Sequence, residues 1–290
     1  MKVTLYFILT SFIWITVSTT AYALPPTDYY QNVEGKHGSE LKSILHEIID
    51  KHKPLPYTRS GNTDWYDGKK MDVWEAIVYT DSVCADEDPK CGYIQLLYLD
   101  EPRHISKANR GSGNHDAWDR EHVWPKSRGF KSSKQDGYTD LHHLRPADRN
   151  INSAHSNYGY DYGGEFIVDK RDSGEIITIS ARLDKTAKSF EPTDRAKGQV
   201  ARMIFYMAVR YEIGDQEKPE YMPDLTLRDS NDRVKEPWIG DLCTLLEWNN
   251  TFLPTIFEKR RNDRVMEIQG NRNPFIDNPL WANSIWEEQC

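Results

Sequence analysis

Apolar residues recur at regular spacing along most of the chain and lose that regularity in one long central stretch. Over residues 38–52, Leu41, Ile44, Leu45, Ile48 and Ile49 stand at i, i+3, i+4, i+7 and i+8, one face of a helix. Pro54 and Pro56 end it. Asp72 with Glu75 predicts a capping box, opening a second helix that carries Val73, Trp74, Ile77 and Val78. The run Tyr93-Ile-Gln-Leu-Leu-Tyr-Leu99 predicts a buried strand, and residues 165–168 with 175–179 a hairpin turning through Asp172-Ser173-Gly174. A long helix is expected after Thr193, with Ala196, Val200, Met203, Ile204, Met207 and Tyr211 along one side. Another is expected from Asp241 to Phe252, before Pro254. With no repeat and no low-complexity linker, the pattern describes one compact α+β domain whose helical stripes are core.

From residue 101 to residue 162 the pattern breaks. Gly, Asn, Ser, His and charged residues dominate, and apolar residues come in ones and twos. Such a segment is expected to bury little, and polar loops held by a scaffold commonly carry function.

Composition sets the frame for that segment. The 290 residues include 38% hydrophobic and 12% aromatic positions, enough for a sizeable core and incompatible with a wholly disordered chain. The formal charge of −8 argues against a generally polycationic nucleic-acid binder, although it leaves a local basic groove open. Residues 100–160 are such a locality: ten Lys and Arg face eight Asp and Glu, and six of the nine histidines fall there.

The N-terminus reads as an address. Lys2 precedes an apolar run from Val3 to Val17, followed by Ala21-Tyr22-Ala23, the arrangement of a secretory signal cleaved near Ala23. The expected division is therefore residues 1–23 as signal and 24–290 as the mature domain, secreted or periplasmic and free of the membrane once cleaved. Export gives Cys84, Cys91, Cys243 and Cys290 an oxidising compartment, where an even set suggests disulfides. Cys84 and Cys91 bracket a polar loop and can pair, leaving Cys243 to tie down Cys290. Sequence alone does not fix the pairing.

Two ordered motifs carry the chemistry: Asp119-Arg-Glu-His-Val-Trp-Pro-Lys126 and the stretch from Asp140-Leu-His-His-Leu-Arg-Pro146 through Asn150, Asn152 and Asn157. Hydrolysis of a phosphodiester needs a base for water and a cation to neutralise charge on the phosphate and leaving oxygen. Glu121, Asn150, Asn152 and Asn157 offer the oxygen donors that a hard cation such as Mg²⁺ takes, and His122 offers the base. There is no G-x-S-x-G elbow and no P-loop, so water is the natural nucleophile.

These motifs, with Tyr29-Tyr30, Gly35-Lys36 and Gly270-Asn-Arg-Asn-Pro-Phe-Ile-Asp277, resemble the endonuclease I family of secreted, non-specific nucleases in the His-Me finger (ββα-metal) superfamily. The resemblance implies a ββα-metal core flanked by helices within the single domain. It implies His122 as general base, Glu121 and Asn152 as ligands of Mg²⁺ (Mn²⁺ or Ca²⁺ as substitutes), and the backbone of DNA and RNA as substrate, acted on by a monomer without an obligate protein partner. Adjacent strand residues face opposite sides, so the backbone is expected to leave strand geometry at Glu121-His122, and only one of His142 and His143 is expected to approach the site. We assign His142 a supporting role, Arg145 a catalytic or phosphate contact, and Arg128, Arg149 and Asn157 contacts to substrate phosphate. The basic run Lys259, Arg260, Arg261 and Arg264 either extends the groove or faces solvent. Two departures stand out: His155 occupies a position where many members have Arg, and the basic cysteine-containing insertion of some branches is replaced by the short stretch from Ser127 to Thr139. The alternative is an exported binding protein that keeps the fold without the activity.

Overall fold

A computed structural model describes residues 24–58, 71–84, 91–99, 101–111, 114–214, 222–232 and 235–290; the expected signal segment lies outside them. The chain opens with helix α1 (Gly38–Ile49), which buries Leu41, Leu45 and Ile49. Helix α2 (Val73–Thr80) starts from a complete Asp72–Glu75 capping box, a device worth about 1 kcal/mol. Residues 94–99 are buried as expected while Tyr93 is exposed, and only β1 (Tyr93–Gln95) pairs, with β2 (Pro102–His104).

Strand β3 (Trp118–His122) then runs antiparallel to β4 (Leu144–Asp148), with short helix α3 (Asp136–Thr139) in the connection and helix α4 (Arg149–His155) directly after. Strands β5 (Gly159–Tyr160), β6 (Glu165–Lys170), β7 (Ile176–Asp184) and β8 (Ser189–Glu191) make a four-stranded sheet in the order β5-β8-β7-β6. The predicted hairpin is its β6–β7 half.

Helix α5 (Asp194–Arg210) carries the predicted stripe and is buried along almost its whole length. Strands β9 (Thr226–Leu227) and β10 (Trp238–Ile239) form a parallel pair before helix α6 (Leu242–Thr251). Helices α5 and α6 meet at Gly198, where a Cβ would lie 2.1 Å from the Phe252 carbonyl oxygen; only glycine fits. Helices α7 (Ile256–Gln269), α8 (Pro274–Asp277) and α9 (Leu280–Trp286) complete an α+β fold. Among the described residues no helix is long and apolar enough to cross a membrane.

Two disulfides pair Cys84 with Cys91 and Cys243 with Cys290. By restricting the unfolded chain, such links stabilise a domain by roughly 2–4 kcal/mol each.

The central segment departs most from its expectation. Much of it is buried, and several of its charged residues are buried with it: Arg128, Asp140, His143, Arg145, Asp148 and His155 are all sealed from solvent. In the basic run near the C-terminus, Arg261 and Arg264 are buried, while Lys259 and Arg260 are half-buried. Arg261 donates to Asp81 and to the carbonyls of Leu141 and Leu144, while Arg260 and Arg264 reach the Ser82 carbonyl. None of the three is a groove residue facing solvent.

Candidate active site

The site forms where β3 ends and α4 begins its single face toward that strand. Asp148 fixes the helix start by accepting the Asn150 amide at 2.8 Å, and Arg103 Nη1 holds its other oxygen at 3.0 Å. Burial, followed by the nearby Asp169 charge, raises the Asp148 carboxyl above its usual range. The helix closes at Ser156, whose positive φ of 55° turns the chain away.

Glu121 sits on the α4 side of β3. Its Oε1 accepts from the Tyr98 hydroxyl at 2.9 Å and from His155 Nδ1 at 2.7 Å. A carboxylate oxygen only accepts here, so the proton lies on His155 Nδ1. Each phenol has one proton: Tyr98 gives its own to Glu121, and Tyr160 shares its proton between Tyr98 and the Val123 carbonyl. Burial pushes both phenols well above their usual range, so they stay donors. Among the described residues no hydrogen bond reaches Glu121 Oε2 or the Asn152 side chain. Asn152 stands one turn before His155, on the same side of α4. The arrangement thus leaves a carboxylate oxygen and an amide oxygen uncommitted on neighbouring elements, a donor pair that fits a hard divalent cation.

His122 faces the other side. Its ring lies 4.7 Å from Tyr138, 5.4 Å from His143 and 5.7 Å from Tyr57, centroid to centroid. Nε2 is 2.9 Å from the Tyr138 carbonyl oxygen. That oxygen can only accept, so Nε2 carries the proton and Nδ1 the lone pair of the neutral ring. Burial first, then the neighbouring His143, holds the imidazole well below its ordinary pKa. A neutral histidine with a fixed tautomer is poised to accept a proton through Nδ1.

The expected break in strand geometry does not occur. Register runs unbroken from Trp118 opposite Asp148 to His122 opposite Leu144, and the two side chains take opposite faces as alternation dictates. Both lie at the end of the strand, which stops at His122.

The remaining expected residues separate. Of the histidine pair one does approach His122, but it is His143, whose Nε2 donates to the Gly137 carbonyl at 2.7 Å. A carbonyl partner makes that nitrogen the donor. His142 points into the interior, with Nε2 3.1 Å from the Asn271 carbonyl and its ring against Tyr206. Arg145 is sealed in an ion pair with Asp81, 2.5 Å from Nε, and donates to Gln199. Arg128 spends its guanidinium on the carbonyls of Asn157, Trp238 and Asp232. Neither arginine can reach a phosphate without losing buried partners. Asn150 donates to Asp169 at 2.6 Å, whereas Arg149 makes no side-chain bond among the described residues. Asn157 lines an open cleft at the end of α4.

Sequence reasoning missed Tyr98, Tyr160 and the Tyr57–Tyr138 wall, which lie outside or between the motifs. A buried tyrosine needs a polar partner, so Tyr98 in an otherwise apolar run was the available signal.

The family model for endonuclease I matches residues 37–280. The chain belongs to the endonuclease I family. It is 42% identical over 276 residues to an extracellular ribonuclease of Bacillus subtilis, covering 93% of this chain and 83% of the relative. A second extracellular ribonuclease, from Bacillus amyloliquefaciens, is 40% identical over 274 residues, 93% and 82% of the two chains. An extracellular deoxyribonuclease of Aeromonas hydrophila matches at 25% over 223 residues, 73% and 77%. In this endonuclease I chain another acidic group, Asp229 with Asp241, gathers beside Cys243, but that sulfur is locked in its disulfide.

Proposed function

We propose that the protein is an exported, metal-dependent endonuclease that hydrolyses phosphodiester bonds of RNA and DNA with little sequence preference. The ββα arrangement of β3, β4 and α4 supports it, but one observation carries the reading: His122 is held neutral with Nδ1 free, immediately beyond Glu121. Relatives named as ribonucleases and a deoxyribonuclease, all extracellular, support export and both polynucleotide classes as substrate.

Glu121 Oε2 and the Asn152 amide oxygen would hold the cation, Mg²⁺ in the first place, with Mn²⁺ or Ca²⁺ as substitutes. When bound, it supplies charge neutralisation at the phosphate and the leaving 3′-oxygen. His122 Nδ1 accepts a proton from the attacking water, while the Tyr138 carbonyl keeps the ring oriented. The water oxygen attacks phosphorus as the 3′-oxygen departs and takes a proton from solvent, giving a 5′-phosphate and a 3′-hydroxyl, and His122 then releases its proton to solvent. Tyr98 and His155 hold Glu121 so that its second oxygen faces outward. Contacts to the sugar–phosphate backbone give affinity without sequence information.

His122→Ala is expected to fold as wild type and to lose activity on RNA and plasmid DNA by about 10² or more, because a general base contributes roughly 10²–10⁴-fold. Near-wild-type degradation by the purified variant, free of host nuclease, would falsify this assignment.

A further inference from the structure

Arg128 and Arg145, two of the arginines expected to hold phosphate, are buried and paired, which leaves half-buried Arg149 and the charges nearer the site to grip the substrate strand. An open cleft of about 340 Å³ lies beside the site, lined by Pro125, Lys126 and Ser127 on one wall and Ser156 and Asn157 on the other. The first wall follows His122 by a few residues, and the second follows α4, which carries Asn152. Both walls therefore leave directly from the elements that present the proposed base and cation ligands.

Arg128 makes the cleft a fixed structure. It continues the first wall, and its Nε and Nη2 donate to the Asn157 carbonyl in the second at 3.1 and 2.7 Å. Nη1 anchors the same guanidinium to the Trp238 carbonyl at 3.0 Å, and Trp124 Nε1 donates back to the Arg128 carbonyl at 2.8 Å. The width between Lys126 and Asn157 is thus set before any ligand arrives. Lys126 itself is exposed, and among the described residues no carboxylate pairs with it. Its charge also reaches His122, whose pKa it helps lower.

We infer that this cleft is a phosphate subsite: it takes the phosphodiester next to the scissile one on the same strand, with Lys126 as the charged contact and Ser127 and Asn157 as hydrogen-bond donors. Resting on the endonuclease reading, the inference names where that enzyme holds its substrate. A single ammonium opposite a phosphate is a point-charge contact that tolerates any base and any sugar. It suits a nuclease acting on both RNA and DNA.

The test uses the whole mature protein and single-stranded oligonucleotides carrying one neutral methylphosphonate, placed on either side of the cleavable bond. Binding is read by fluorescence anisotropy in EDTA and cleavage in Mg²⁺. Lys126→Gln is expected to raise KM and the binding Kd about tenfold, the size of one lost charge-assisted contact, with kcat little changed. The salt slope of binding falls by about 0.7, the increment for one phosphate contact on a single strand. Lys126→Arg restores both, and Lys185→Gln, removing an exposed charge elsewhere, changes neither. For wild type, one of the two methylphosphonate positions weakens binding about tenfold; for Lys126→Gln that same position costs nothing further. Equal methylphosphonate penalties in wild type and Lys126→Gln, or an unchanged salt slope, overturn the subsite. Binding that shows the Lys126 pattern without any cleavage leaves the subsite standing and removes the endonuclease reading instead.

Discussion

The helices α1, α5 and α6 and the segment from Ala117 to Asp148 both contribute to the interior, but they do so by different means. In the helices, Leu45, Val200, Ile204 and Leu245 exclude water by apolar area alone, and any neighbour of similar shape would serve. In the central segment charged groups are buried through partners: Arg145 pairs with Asp81, which Arg261 also reaches, and Asp140 accepts from Tyr206, Tyr211 and Gln269. A polar interior holds its geometry by pairing, which is what an active centre requires, and it fails abruptly when one partner goes.

The sharpest way to break that contrast is Asp81→Ala. It strands two buried guanidinium groups and is expected to cost about 3–5 kcal/mol, whereas Ile204→Val in α5 should cost about 1 kcal/mol. Urea unfolding of the two variants gives the comparison directly, and equal losses would show that the centre is held by area after all.

Acid probes the same difference. Burial first of all holds His142 at about 3 and His143 at about 4, although Asp140 favours their charged forms. The unfolded chain takes up those protons near pH 6.5 and the folded chain does not, so stability falls as pH drops below 6.5, down to about 4 for His143 and about 3 for His142. Each imidazole contributes roughly 1 kcal/mol per pH unit in that window and nothing above it. Burial alone would raise the Asp140 carboxyl, but His52, His142, His143 and Gln269 hold it well below its usual range. Its contribution is present above pH 4 and is lost only at lower pH. Urea midpoints that are level from pH 8 to 7 and decline between 6.5 and 4.5 are the expected record; a level line to 4.5 contradicts it.

His155→Phe has the smallest effect of the three. It keeps the packing on Tyr160 and Phe190 while removing the donor to Glu121. Mn²⁺ affinity read by calorimetry should weaken about 10–100-fold, the usual cost of losing a ligand's supporting partner, and His155→Gln should recover part of it. Unchanged Mn²⁺ affinity would reduce His155 to a packing residue.

What the sequence disclosed follows the same division. Periodicity located α1, α2, α5 and α6, because apolar burial leaves a regular trace. Helix α7 was missed: its residues read as a basic run, although Thr255 and Glu258 form a capping box that announced it. The strand expected over 93–99 is short because Leu96 to Leu99 are buried by packing rather than by pairing. In the centre, residue types offered Glu121, His122, Asn150, Asn152 and Asn157, and the family resemblance singled out Asn152. Neither could say that Arg128 and Arg145 face inward, or that His143 rather than His142 stands beside His122. Charge and residue type are visible in a sequence, while the partner that consumes a charge is chosen by the fold. His155 illustrates the point: judged as a replacement for a phosphate-binding arginine it looks like a loss, yet its Nδ1 supports Glu121.

Strand β3 acts as a partition. Glu121 with Tyr98, Tyr160 and His155 lies to one side, and His122 with Tyr57, Tyr138 and His143 to the other. Under the proposed mechanism, substitutions around the carboxylate would retune which cation is preferred without touching the imidazole's surroundings, and changes in the aromatic wall would shift the working pH range without disturbing the cation's oxygens. An enzyme partitioned in this way can adapt to a new habitat one trait at a time.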